Sequence, residues 1–290
     1  MRLDYHIFNQ FILSIVFLVF RSILVLTSLI VNVLYMTESV IILLGDFSLF
    51  MYETICSFRY IWKRRGLFLK QCEFIGVSSL GINVAAGLFM GGVLGFQLYV
   101  SLHRFGAEAL VGGTVGVTLF RELAPVMAAI MVTGRAGAAM AAEISSMKIS
   151  EQIDALEVMA VNPIEYLVSP RVVAGFLMMP LLSIFFTLVA SVSACVVACG
   201  VMDLQYSIYW HQYFKMVDQV DVLHCLVKSG VFGLILTGLG CFCGFQAYGG
   251  ARAVGEATRN TVVATCLSIL FSDYLLTSIL PLGFKTLKVM

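Results

Sequence analysis

The sequence predicts an all-α integral membrane protein: an N-terminal interfacial helix, five transmembrane helices, and a short cytoplasmic helix between spans two and three. Three observations carry this. Of 290 residues, 60% are hydrophobic and 12% charged, and mean hydropathy is +0.97, whereas soluble chains hold about 25% charged and about 45–50% apolar residues. Several apolar runs reach the roughly 20 residues a spanning helix needs. They are continuous and do not alternate as barrel strands would, so each must satisfy its own backbone as a helix. Lysine and arginine also gather in alternate loops.

In chain order, residues 7–35 are apolar apart from Arg21 and a few polar residues, a run too long for the core of a signal peptide. This hydrophobic extension (1–37) is set apart from a domain over 38–290. Residues 43–61 read as an amphipathic helix in the interface, with the basic group 63–65 at the headgroups. Spans are expected at 74–100, 110–141, 172–202, 223–246 and 260–281. The second holds Arg121, Glu122 and Pro125, so a local kink is expected. The third opens with Ser169 as N-cap and Pro170 at the first helical position.

Orientation follows from the loops. Arg59, Lys63, Arg64, Arg65, Lys70, Lys148, Arg171, Arg252 and Arg259 fall on one side; Arg104, Lys215, Lys285 and Lys288 fall on the other. The first side is therefore cytoplasmic. On the opposite side, Tyr206, Tyr209, Trp210, Tyr213 and Phe214 recur at helical spacing, as in an interfacial helix with an aromatic belt toward lipid. Gly87, Gly91 and Gly95 form two overlapping GxxxG steps, and Gly240 and Gly244 form another. Such faces let helices approach closely, within the chain or across a dimer.

Little here points to catalysis. There is no Walker A sequence, GxSxG, HExxH or CxxC. The four histidines are far apart, and the eight cysteines are scattered through apolar runs as small buried hydrophobes, so no metal site is expected. A net charge of +1 gives no reason to expect nucleic acid. The sharper signal is charge inside spans: Arg121, Glu122, Lys228 and Asp273. At about 1.5 Å rise per residue they lie roughly 8–17 Å below the outer ends of their spans, so one cluster is geometrically possible. Such a cluster suits both an ion-pair lock between helices and a polar lining for a path or lipid headgroup. A second signal is 143–161, where Ile144, Met147, Ile153, Leu156 and Ala160 recur at helical spacing among Glu143, Glu151, Asp154 and Glu157. Such a helix could lie on the membrane or dock into a cytoplasmic partner.

The stretches RELAPV (121–126), GRAGAAMAAEI (134–144), EQIDALEVMAVNP (151–163) and SPR (169–171) resemble the MlaE-type permease family, the membrane subunits of bacterial and plastid lipid ABC transporters. CLVKSGVFG (225–233), ATRxTVV within 250–263 and LFSDYLLT (270–277) extend the resemblance over about residues 40–281. The resemblance implies an interfacial helix before five spans, a pair of permease copies, a cytoplasmic ABC ATPase dimer and a ring of MCE-domain substrate-binding subunits outside. It also implies a phospholipid cavity open outward, and ATP with Mg on the ATPase, with no cofactor on this chain. By the same resemblance Arg121, Glu122, Lys228 and Asp273 are the family's intramembrane charges. Gln97, Leu98, Tyr99, Leu102 and Phe105 match the end of the first span near the cavity mouth. Glu143, Lys148, Glu151, Gln152, Asp154 and Glu157 match the helix that couples to the ATPase. Residues 1–35 have no counterpart in the family. They are either a further span or sequence upstream of Met36 as the true start.

The expected function is a permease moving phospholipid between a bacterial inner membrane and a periplasmic MCE-type partner, with the plastid inner envelope as the second choice of membrane. The alternatives are an ion- or proton-coupled carrier without an ATPase, and a non-transporting membrane scaffold. Glu122 and Asp273 would suit a proton relay. The inverted repeats common in carriers are not visible in the sequence.

Overall fold

A computed structural model describes residues 41–58 and 65–287, with side chains through 280. The extension 1–37 and the basic residues Arg59, Lys63 and Arg64 lie outside the described residues. The chain divides into two compact units, Met1–Phe50 and Met51–Met290. In the first, residues 41–50 are helical and largely exposed.

Helix α1 covers 41–56. It is followed by α2 (Arg65–His103), α3 (Glu108–Ile149), α4 (Gln152–Val158), α5 (Ile164–Gly200), α6 (Tyr206–Met216), α7 (Gln219–Phe245) and α8 (Ala251–Leu287). No strand occurs among the described residues. Among the described residues five helices, α2, α3, α5, α7 and α8, are long and apolar enough to cross a membrane. The chain is an all-α, multi-pass membrane protein. The spanning helices overrun the apolar stretches that mark them, because a helix continues for as long as its backbone bonds do, past the point where its side chains turn polar.

Among the described residues four π turns interrupt the regular helices: Glu73–Val77 in α2, Leu119–Leu123 and Thr133–Gly137 in α3, and Ile164–Val168 opening α5. The last corrects the expected start of the third span. Ser169 and Pro170 lie inside a continuous helix, and the chain enters it earlier, where Asn162 Oδ1 accepts the Ile164 N–H at 2.9 Å. Asn-Pro supplies the capping oxygen and the preset φ that Ser-Pro was expected to supply.

The glycine stripe of α2 packs within the chain, on α5. A Cβ on Gly87 would stand 3.2 Å from the Phe186 carbonyl oxygen, and one on Gly95 2.7 Å from that of Ala194. A Cβ on Gly91 would fall onto the Ala190 backbone. Two polar side chains fasten the same pair of helices: Asn83 Nδ2 donates to the Leu182 carbonyl at 2.7 Å and Ser193 Oγ to that of Leu88 at 2.6 Å. Lipid gives apolar side chains no reason to leave it, so close backbone approach and interhelical hydrogen bonds supply the association. The second stripe packs on α3, where a Cβ on Gly244 would stand 2.8 Å from that of Ile144.

Helix α6 corrects the aromatic-belt reading. Tyr209 and Tyr213 point inward and are buried. The Tyr209 hydroxyl donates to the Ser191 carbonyl at 3.1 Å, and that of Tyr213 pairs with Ser191 Oγ at 2.8 Å. Burial pushes both phenols above their ordinary range, so they stay neutral. Tyr206 and Phe214 remain exposed. α6 can approach α3 this closely because Gly112 leaves room for the Tyr209 backbone and Gly116 for the Tyr213 ring.

Replacing Gly91 by Ala should cost about 1–3 kcal/mol by overpacking against a backbone that cannot yield. Gly81→Ala on the same helix, with open space around it, should leave stability unchanged or slightly raised. Heat resistance of the purified chain in detergent separates the two.

Candidate functional site

The site begins with a proline. In an α-helix the Arg121 carbonyl would accept from the N–H of residue 125, but Pro125 has none. The helix answers with the π turn Leu119–Leu123, in which the Ala124 N–H reaches back to the Leu119 carbonyl. Where the sequence predicts a kink, the helix carries this π turn, a kind of irregularity frequent at functional sites. The orphaned Arg121 carbonyl then accepts from Lys228 Nζ of α7 at 2.8 Å.

Lys228 is 1% exposed and fully engaged. Besides that carbonyl, its ammonium donates to Glu122 Oε2 at 2.8 Å and to Thr277 Oγ1 of α8 at 2.7 Å. Asp273 Oδ1 lies 2.8 Å away as an ion pair whose angle is poor for a hydrogen bond. Three spanning helices therefore meet at one cation. Thr277 also sits 3.3 Å from Glu122 Oε2 and bonds its own helix at the Asp273 carbonyl.

Arg121 joins this group through its backbone, not its side chain. Its Nε donates to Asp221 Oδ1 at 2.5 Å, while its side chain stays 51% exposed. Asp221 is buried at the third position of α7, and its Oδ2 accepts the Asp218 N–H at 2.9 Å in a capping box. One carboxylate thus caps a helix and aims an arginine. Of the four charges read from sequence, Glu122, Lys228 and Asp273 are brought together, whereas the Arg121 guanidinium pairs with Asp221; Asp221 and Thr277 are members that the sequence did not reveal. With Asp221 included, three carboxylates stand against two cations.

The five residues at the end of the first span do not form one surface. Leu98, Tyr99 and Leu102 pack against the core, whereas Gln97 and Phe105 are exposed. Glu108 organises this end: Oε1 lies 2.5 Å from His103 Nδ1 and Oε2 accepts from the Tyr99 hydroxyl at 3.5 Å.

The segment 143–161 is two helices, not one. α3 runs on to Ile149, and Glu151 in the left-handed region (φ 59°) turns the chain into α4. Ile144 and Ile153, read as one stripe, belong to different helices. α4 buries only Ile153, leaving Glu151, Gln152, Asp154 and Glu157 exposed beside Val158 and Met159. Lys148 Nζ pairs with Asp154 Oδ1 at 2.6 Å. Glu143 lies back on α3, paired at 2.9 Å with Arg171 of α5. Arg171, counted among the loop cations, is buried.

Sequence reading also passed over Arg135. It lies in the π turn Thr133–Gly137, donates to the Phe74 carbonyl of the α2 π turn at 2.6 Å and to Ser79 Oγ at 3.0 Å, and stands over the Phe74 ring. A lone arginine among small apolar residues (GRAGAA) was the signal available.

Lys228→Met should cost about 3–5 kcal/mol, because it leaves Glu122 and Asp273 facing each other without a cation. Thr277→Val should cost about 1.5–3 kcal/mol, one hydrogen-bond partner of a buried charge. Thermal unfolding in detergent measures both.

The model of the permease family MlaE matches residues 68–279. A probable ABC transporter permease protein of Rickettsia conorii is 38% identical over 235 residues, 81% of this chain and 91% of that protein. The intermembrane phospholipid transport system permease protein MlaE of Haemophilus influenzae is 35% identical over 238 residues, 82% of this chain and 91% of its own. The chloroplastic protein TRIGALACTOSYLDIACYLGLYCEROL 1 of Arabidopsis thaliana is 34% identical over 210 residues, 72% of this chain and 60% of its own. With a match across most of its length, the chain is a member of the MlaE permease family.

Proposed function

We propose that the chain is the membrane subunit of an ABC-type transporter that moves phospholipid between the bacterial inner membrane and a periplasmic MCE-type partner. It would act as a pair of copies, with ATP hydrolysed on a separate cytoplasmic ATPase dimer. The observation that carries this reading is Arg121: a half-exposed guanidinium held inside a membrane-spanning helix by a buried carboxylate. A cation in that setting is costly and favours an anionic ligand. The planar fork suits a phosphate, and Nε alone is spent on Asp221. Lys228, with its donors already engaged, serves better as the keystone that holds α3, α7 and α8 around that arginine.

The cytoplasmic end supports the ATPase half of the proposal. α4 offers an acidic rim and an exposed apolar tip, Val158 and Met159, the pattern of a helix seated in a partner's groove. Of the residues assigned to coupling, Glu151, Gln152, Asp154 and Glu157 lie on this helix or at its start, and Lys148 braces it.

The test is purification of the tagged chain in mild detergent, with identification of bound proteins and lipid. An ATPase, an MCE-domain protein and phospholipid together support the proposal. A chain recovered alone, without lipid, would move the proton-coupled carrier to the front, with Glu122 and Asp273 as its relay. In reconstituted vesicles, Arg121→Gln should lower phospholipid transfer by about tenfold or more, equivalent to one charge-assisted contact, with Arg121→Lys intermediate. Met159→Glu should reduce the ATPase recovered with the chain while leaving its heat resistance unchanged.

A further inference from the structure

Helices α3 and α5 flank the segment 150–163 that carries α4, and one buried side chain ties them together there. Arg171 has 3% side-chain exposure. Its Nη2 meets Glu143 Oε2 of α3 at 2.9 Å, and its Nη1 donates to the Leu167 carbonyl at 2.7 Å. Leu167 lies in the π turn Ile164–Val168, so a single guanidinium holds the irregular opening turn of α5 against α3. Arg171 Nε is buried without a hydrogen-bond partner among the described residues, leaving those two contacts to carry the clamp. On the other side of α4, Lys148–Asp154 closes the elbow from α3.

We infer that Arg171 is a positioning residue that makes the α4 segment a rigid lever, passing displacement of α4 into α3 and α5 through the Glu143–Arg171 pair. The inference rests on the transporter reading. A buried ion pair contributes little net stability against its desolvation, so geometric definition is the better reason for its presence. The rigid fork reaches a carboxylate and a carbonyl at once, which a lysine cannot do with fixed geometry. The same α3 continues about 30 Å, at 1.5 Å per residue, to Glu122, so the lever and the charged cluster share one helix.

The test is the ratio of phospholipid transferred to ATP hydrolysed by the complete transporter in vesicles. Arg171→Gln should leave ATPase association and hydrolysis within about twofold of the starting protein while the ratio falls by about tenfold, the size of a typical coupling free energy. Arg171→Lys should fall between. Glu143→Asp, which keeps the carboxylate, should retain most of the ratio, and Glu143→Gln should lose it. The Glu143 pair of variants carries the test if Arg171→Gln does not fold, since Glu143 is half-exposed. An unchanged ratio in Arg171→Gln and Glu143→Gln, or transfer and hydrolysis falling by the same factor together with heat resistance, would overturn the inference and leave the transporter reading standing. If the starting protein itself neither bound an ATPase nor transferred lipid, that reading would fall and the inference with it.

Discussion

An ammonium group inside a membrane must be surrounded by oxygen, because moving an ion out of water costs several kcal/mol even after the protein relaxes around it. Lys228 of α7 meets that requirement with ligands from two other helices: a backbone carbonyl and Glu122 from α3, and Thr277 and Asp273 from α8. Much else follows. The carbonyl is available because Pro125 cannot supply its usual donor. The π turn exists because the proline ring would otherwise collide with that same carbonyl. The π turn in turn shifts the register of α3, so that Glu122 faces Lys228 while the Arg121 side chain swings to Asp221 at the start of α7. Where they pass Lys228, α3, α7 and α8 are held together by the neutralisation of one lysine, and Gly240 and Gly244 pack α7 on α3 farther along.

The remaining pair of spans, α2 and α5, is joined on different physics. Glycines against alanines let two backbones touch, and a few polar side chains bridge them. Arg135 adds a cross-link between two π turns, using a carbonyl of α2. The irregular turns are therefore places where the i to i−4 ladder opens and a side chain from a neighbour, or from the same helix, takes the freed oxygen. That pattern recurs at Arg171 and Leu167.

How much was legible in the sequence depended on how costly each residue is in lipid. Arg121, Glu122, Lys228 and Asp273 stand out because charge in an apolar run needs a reason, and the structure brings the last three together while Arg121 joins them through its carbonyl. Asp221 was hidden because it lies within the polar stretch 203–222, where a carboxylate is unremarked. Thr277 was hidden because a hydroxyl can satisfy itself on its own helix, as this one also does. The tyrosines of α6 were misread because helical spacing gives the ring faces but not which face has room, and that was decided by Gly112 and Gly116 on another helix. The segment 143–161 was read as one helix because the break at Glu151 needs a positive φ in a residue that gives no warning of it. Pairing between Glu143 and Arg171, across 28 residues of chain, has no local signature at all.

The claim that ties the geometry to function is that phospholipid passes beside Arg121. A phospholipid carrying a diazirine near its headgroup, incorporated into membranes holding the assembled transporter, reads this directly once the adducted residues are mapped. Adducts on 119–123 of α3 and 273–277 of α8 that decline during ATP turnover are the predicted result. Adducts confined to outward positions of α5, such as Leu188, Val192 and Val196, which are exposed, and indifferent to ATP, would contradict it.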